Sequence, residues 1–214
     1  LGAGYNISNM DLEIRGAGAV FGYKQSGGVG RVGFELYSLY IKEVLAKRKE
    51  EKAPDILPQD VIVSLYKNTI IPEIYIPSPS IRISFYRKLS SVASIEGIND
   101  IENELIDRFG PPPASIGLLI NLWKIRVAAS ACGVLSLEKS NGILSIILCQ
   151  TTLEHSIDLI FKHLPGMSKE LGWEYHFKAQ NNSNLCLLFN LGGGEDISSK
   201  VLMFMNKLRT IIKQ

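Results

Sequence analysis

Apolar residues along this chain recur in two rhythms. One has steps of three and four, the period of an amphipathic helix; the other is a short β-branched or alternating run, the period of a strand. Phe34, Tyr37, Ile41, Val44 and Leu45 follow the first. Their helix continues through the mixed-sign residues 47–52, which read as a solvated helix end, with Glu43 and Lys47 as an i,i+4 pair. Pro54 and Pro58 bar further helix and mark a boundary. Residues 61–66 are β-rich and predict a strand. Pro72 and Pro77 then stiffen the connection to a helix capped by Ser78, with Pro79 at its first position and Ile81, Phe85, Leu89 and Val92 inward. A second helix carries Ile98, Ile101, Leu105 and Phe109 and stops at Gly110. After Pro111, Pro112 and Pro113 a third places Ile116, Leu119, Ile120, Trp123 and Val127 on one face, with Gly133 as its stop.

The remainder alternates between strands and helices. Residues 134–139 and 143–149 flank Asn141-Gly142, the strongest short hairpin signal. Thr151 and Glu154 fit a capping box for a helix through Leu164, and Pro165-Gly166 is expected to break it. Residues 173–178 and 185–190 read as a second hairpin around the polar residues 181–184. Gly192, Gly193 and Gly194 lead to a last helix with Val201, Phe204, Leu208 and Ile211 on one face. Two hairpin-plus-helix units predict an antiparallel or mixed sheet with helices on one face, an α+β layer. No repeat is visible between the two units in sequence.

Composition narrows the classes. The 214 residues suffice for one domain, or one domain and part of another. A formal charge of +2 is too mild to argue for nucleic-acid binding across the whole surface. Cys132, Cys149 and Cys186 are odd in number and lie in apolar surroundings, as expected of reduced core thiols in a cytoplasmic protein. No apolar run is long enough to span a bilayer, and the glycine-rich start without Met reads as cut from a longer protein.

Chemistry concentrates near the start. Residues 5–15 fit a short helix or an extended segment, and 16–33 a loop. Gly16, Gly18 and Gly22 free the backbone, Ala19, Val20 and Phe21 can anchor the loop, and Gln25-Ser26-Gly27 ends it on an amide and a hydroxyl. Arg15 and Gln25 are thus polar groups on a glycine-hinged loop. Either Arg15 pairs with Asp11 or Glu13 and Gln25 ties down the turn, or the loop carries both to a phosphate or carboxylate. Residues 28–33 spell G-x-G-x-x-G, but no hydrophobic strand precedes them, so they do not form a dinucleotide fingerprint. No phosphate loop of the G-x-x-x-x-G-K-[ST] type occurs, so this chain alone is not expected to hydrolyse ATP. His155, His163 and His176 are not spaced as metal ligands, and no metal or cofactor is expected. Asp107 with Arg108, and Glu102 with Arg108, read as surface ion pairs.

At this spacing, Asp11, Leu12, Arg15, Gly16, Gly18, Gly22, Gln25, Ser26 and Gly27 resemble the translocation motif shared by the DNA-pumping ATPases of the RecG and Mfd families. Residues 1–5 and 32–37, and a second block over 82–89 and 104–111, resemble the Mfd family, the bacterial transcription-repair coupling factors. The resemblance implies a glycine-rich loop and helix from the end of a RecA-like helicase lobe over residues 1–53. A linker over 54–60 and a separate α+β regulatory domain over 61–214 then follow, with a helical first half and two hairpin-plus-helix units. It further implies a parent that uses ATP and Mg to move along double-stranded DNA, pushes stalled RNA polymerase and recruits nucleotide-excision repair through UvrA. In such a parent, residues 61–214 contact the N-terminal repair-recruitment module and keep UvrA off. Lys24 and Arg31 flank the loop and could add phosphate contacts beside Arg15 and Gln25. The alternatives are a protein-interaction module without a motor role and a fragment of a RecG-like fork-remodelling helicase.

Overall fold

The computed structural model describes residues 56–66, 69–180, 184–191 and 197–213. The expected loop and helix over residues 5–52 lie outside them. A 3-10 turn, Pro58–Asp60, opens the described part. Strand β1 (Ile62–Ser64) follows, then helices α1 (Pro79–Ser91), α2 (Ile95–Phe109) and α3 (Ala114–Ser130). Hairpin β2 (Val134–Ser140) and β3 (Ile143–Leu148) leads into α4 (Gln150–Leu171). Hairpin β4 (Glu174–Ala179) and β5 (Leu185–Asn190) leads into α5 (Ile197–Ile212).

The sheet is mixed, in the order β1-β2-β3-β5-β4. β1 runs parallel to β2, with Val63 opposite Leu137, and every other pairing is antiparallel. The two hairpins therefore meet through their second strands, with Ile146 opposite Leu187. Each is followed by a helix, so two like units stand back to back although their sequences share no repeat. Asn141 and Gly142 take φ of 50° and 78°, the positive values that a two-residue hairpin turn requires.

Alternation assigns the faces. Leu137, Leu144, Ile146, Leu148, Leu185, Leu187 and Phe189 are buried, and α4 and α5 pack over them with Ile157, Ile160, Phe161, Val201, Phe204 and Leu208. A second core lies among the three earlier helices: Ile71, Ile76, Phe85, Leu89, Ile98, Ile101, Leu105, Ile116 and Ile120. Helix α3 belongs to both. It presents Ile116, Leu119, Ile120 and Val127 to the second core and Leu122, Ile125, Ala128 and Ala129 to the first. A helix apolar all round must be buried all round. The single inward face read from the sequence was half of the pattern, and Trp123 on that face is only half-buried.

Several boundaries differ from expectation. The strand expected over 61–66 keeps only Ile62–Ser64, because Val61 and Leu65 turn into the first core instead. Helix α4 runs through Pro165-Gly166 and ends seven residues later than expected, at Leu171. The exposed proline ring faces solvent, while Leu164, Met167 and Leu171 keep a continuous buried stripe. Packing along that stripe outweighs a proline cost of about 3 kcal/mol. The helix stops at Gly172, with φ 70°, whose N–H reaches Lys169 O while Trp173 N–H reaches Ser168 O at 3.0 Å. This is a Schellman closure. The expected Thr151–Glu154 capping box does not form. The helix begins two residues earlier, with Cys149 at the cap, and Glu154 accepts a hydrogen bond from Gln150 Nε2 at 2.9 Å. Ser78 sits at the cap of α1 as expected, but its hydroxyl pairs with that of Ser80 rather than with a backbone N–H.

Candidate interaction surface

Asp11, Leu12, Arg15, Gly16, Gly18, Gly22, Lys24, Gln25, Ser26, Gly27 and Arg31 all lie outside the described residues. The second block of the resemblance lies inside them, on α1 and α2, and its residues brace one another. Arg82, in the first turn of α1, donates from one guanidinium nitrogen to Ile76 O at 2.7 Å and Pro77 O at 2.9 Å. The proline-rich connector is thereby held against the helix it feeds. One turn later, Tyr86 Oη accepts the Ile71 N–H at 2.7 Å. Tyr75 Oη shares its hydrogen between Leu105 O at 3.1 Å and Gly110 O at 2.9 Å, at the C-terminal end of α2. Three side chains thus tie residues 71–77 to two helices.

An ionic and aromatic cluster joins α1 to α2. Glu104 accepts from Lys88 Nζ at 2.5 Å and from Arg108 at 2.9 Å. The Lys88 hydrogen bond, aided by that from Arg108, holds the Glu104 carboxyl below its usual range against the opposing effect of burial. Lys88 and Arg108 also lie over the Phe85 ring, 5.3 and 5.5 Å from its centroid, and Phe85 meets Phe109 edge-on at 6.0 Å. The ion pairs expected here are redistributed. Arg108 bonds to Glu104, one helical turn away, rather than to Asp107 or Glu102, because i,i+4 positions face each other and adjacent ones do not. Glu102 instead accepts from Lys124 on α3 at 2.9 Å.

The other candidates carry no assembled chemistry. His155 and His163 on α4 and His176 on β4 are exposed. Among the described residues no group of three His, Cys, Asp or Glu is placed to hold a metal ion. The three thiols are free. Burial pushes Cys132 up to about 12, which keeps it protonated and inert. Among the described residues no helix is long and apolar enough to cross a membrane.

What the surface offers is contact. Ile70, Ile74, Ile83 and Ile106 are exposed around the connector, α1 and α2, with Ile74 94% exposed on a turn pinned by its neighbours Tyr75 and Ile76. A cleft of about 510 Å³ opens between the 3-10 turn, the start of α2 and the ends of α3 and α5, lined by Leu57, Ser94, Glu96, Ser130 and Arg209 among others. The Ser94 hydroxyl is committed there to the Gly97 N–H as the cap of α2. The bracing roles of Tyr75, Tyr86 and Arg82 were not legible in sequence. The only signal was a polar-tipped aromatic or a cation beside a proline-stiffened segment.

This is an α+β domain with a braced helical half and a contact surface, and comparison assigns it to a class. The TRCF domain profile matches residues 65–156. The chain is similar to the transcription-repair-coupling factor of Staphylococcus epidermidis, 34% identical over 185 residues. It is 32% identical over 184 residues to that of Staphylococcus aureus. In both cases the match covers 86% of this chain and 15% of the relative, so the chain spans about a seventh of those proteins. The matched span is longer than the described part and so reaches into residues 1–55. A crystal structure of the C-terminal domain of a transcription-repair coupling factor shares the fold, with a TM-score of 0.62 at 19% identity, covering 72% of this chain and 94% of that one. The chain belongs to the transcription-repair coupling factor family and corresponds to its C-terminal part.

Proposed function

We propose that this chain is the C-terminal portion of a cytoplasmic, ATP-dependent double-stranded DNA translocase that displaces stalled RNA polymerase and recruits nucleotide-excision repair. Residues 61–214 act in it as a regulatory cover that keeps UvrA from its binding surface. ATP and Mg bind elsewhere in the parent. The observation that carries this reading is the TRCF match over residues 65–156, which falls on the two-core domain. The fold supports a contact role: its charged residues brace helices, and its exposed isoleucines are surface available for docking.

A cover acts by competition. The tethered domain has a high effective concentration at its docking surface, and UvrA must displace it. If the closed form is favoured by about 2–2.7 kcal/mol, apparent affinity falls roughly thirty- to a hundredfold. Titrating UvrA against the full-length parent and a parent lacking residues 61–214, at one salt concentration, is expected to recover that factor on deletion. Equal or weaker binding after deletion would overturn the reading. For residues 1–53 the proposal is that Arg15 and Gln25, on the motif's loop, couple ATP hydrolysis to movement, with Lys24 and Arg31 as further phosphate contacts. In the parent, Arg15→Ala or Gln25→Ala is expected to leave ATP binding intact and abolish displacement of a DNA-bound obstacle. Normal displacement by both variants would return the loop to a structural turn.

A further inference from the structure

Helix α3 carries a cation, Arg126, with no acceptor among the described residues. The Arg126 guanidinium stacks over the Trp123 ring, 4.9 Å from its centroid, and both side chains are half-buried. Among the described residues it makes no hydrogen bond or ion pair. Several cations of the helical half are held by acceptors instead. Lys124, two residues away on the same helix, is held by Glu102 on α2, Lys88 and Arg108 by Glu104, and Arg82 by two carbonyls. Burial lowers the proton affinity of Arg126, the mark of a charge taken part-way out of water without compensation. A guanidinium fixed by an aromatic face keeps its in-plane N–H donors free and pre-aimed, and that fork matches a carboxylate in two parallel bonds. Trp and Arg together are also the side chains on which protein interfaces concentrate their energy.

We infer that the Trp123–Arg126 stack on α3 is a docking point for a carboxylate side chain on an acidic segment of a partner protein. Nucleic-acid phosphate fits less well. A duplex needs a row of available cations, and the nearest one along the helix, Lys124, is already neutralised by Glu102. The inference goes beyond the regulatory reading, since it does not depend on whether the domain covers the UvrA surface.

The test follows the Arg126 side-chain Nε–H and the Trp123 indole N–H by NMR in the whole 214-residue chain. The probe is a terminally blocked Glu-Gly-Glu peptide. Parallel titrations use Gln-Gly-Gln, sodium phosphate and a short DNA duplex. The acidic peptide is expected to shift both signals saturably at millimolar concentration, and at least about tenfold more tightly than its amide counterpart. Arg126→Gln should abolish the shift of the Trp123 signal, and Arg126→Lys should weaken it, because an ammonium keeps the charge but not the fork. Absence of a saturable shift in the unaltered chain would overturn the proposal. So would equal affinity for the amide peptide, or tighter binding of phosphate or duplex. The primary reading uses the unaltered chain, so it stands even if a variant fails to fold.

Discussion

Gly133 joins α3 to β2 at φ 67°, and a Cβ there would lie 1.7 Å from Thr152 Oγ1 and 3.0 Å from Cys149 Sγ. Its carbonyl accepts the Cys149 N–H at 2.8 Å, and Thr152 Oγ1 donates to Cys132 O at 3.3 Å. The glycine is thus wedged between two turns, one leaving α3 and one entering α4. Gly142 also has positive φ, 78°, but a Cβ there would meet nothing within 4 Å. The contrast separates backbone conformation from crowding. Gly142→Ala is expected to cost about 1 kcal/mol, the left-handed penalty alone. Gly133→Ala carries that penalty and overpacking, for about 3 kcal/mol in total. Urea unfolding of the two variants measures both values, and equal losses would contradict the crowding. The sequence marks Gly133 only as a helix stop, since the crowding comes from Thr152, nineteen positions away in the chain. Asn141-Gly142, whose requirement is local, was legible in full.

At the scale of elements, α3 decides how the molecule behaves. Ile120 lies in the core formed with α1 and α2, Ile125 in the core under the sheet, and both are fully buried. Since one rigid helix supplies both, the two cores are expected to melt together. Ile120→Ala and Ile125→Ala should each cost about 2–4 kcal/mol and lower a single transition. Two resolved transitions in calorimetry, each sensitive to one variant only, would show that the cores are independent. The elements whose evidence is periodic, such as α2 and α5, were read correctly from Ile98, Ile101 and Leu105, and from Val201, Phe204 and Leu208. Those decided by packing were not. Pro165 signals a break, yet the stripe through Leu164, Met167 and Leu171 carries α4 past it. Residues 61–66 carry strand propensity, yet Val61 and Leu65 are drawn into the core. Apolar residues around all of α3 leave the choice of neighbours open, so its second face could not be assigned before the fold was known.

For the whole molecule, the described residues form a braced, two-core domain, with an isoleucine-bearing helical half and, on α3, the Arg126 fork as contact features. Family membership was legible in the motif over residues 11–27, its flanks and the second block, and the second block also holds the helical half together. Arg82 and Tyr86 pin the connector, and Glu104 holds Lys88 across two helices. The proposed cover makes a demand that deletion alone does not: the domain must mask by contact, and so must work when it is no longer tethered. The direct measurement is UvrA binding to a parent lacking residues 61–214, with the separate 61–214 domain added back. With a tether worth about a millimolar effective concentration and a closed state favoured thirty- to a hundredfold, the added domain should compete half-maximally at roughly tens of micromolar. Loss of UvrA binding over that range is the predicted result. Undiminished UvrA binding at millimolar domain, with the domain's own melting transition intact, would contradict it.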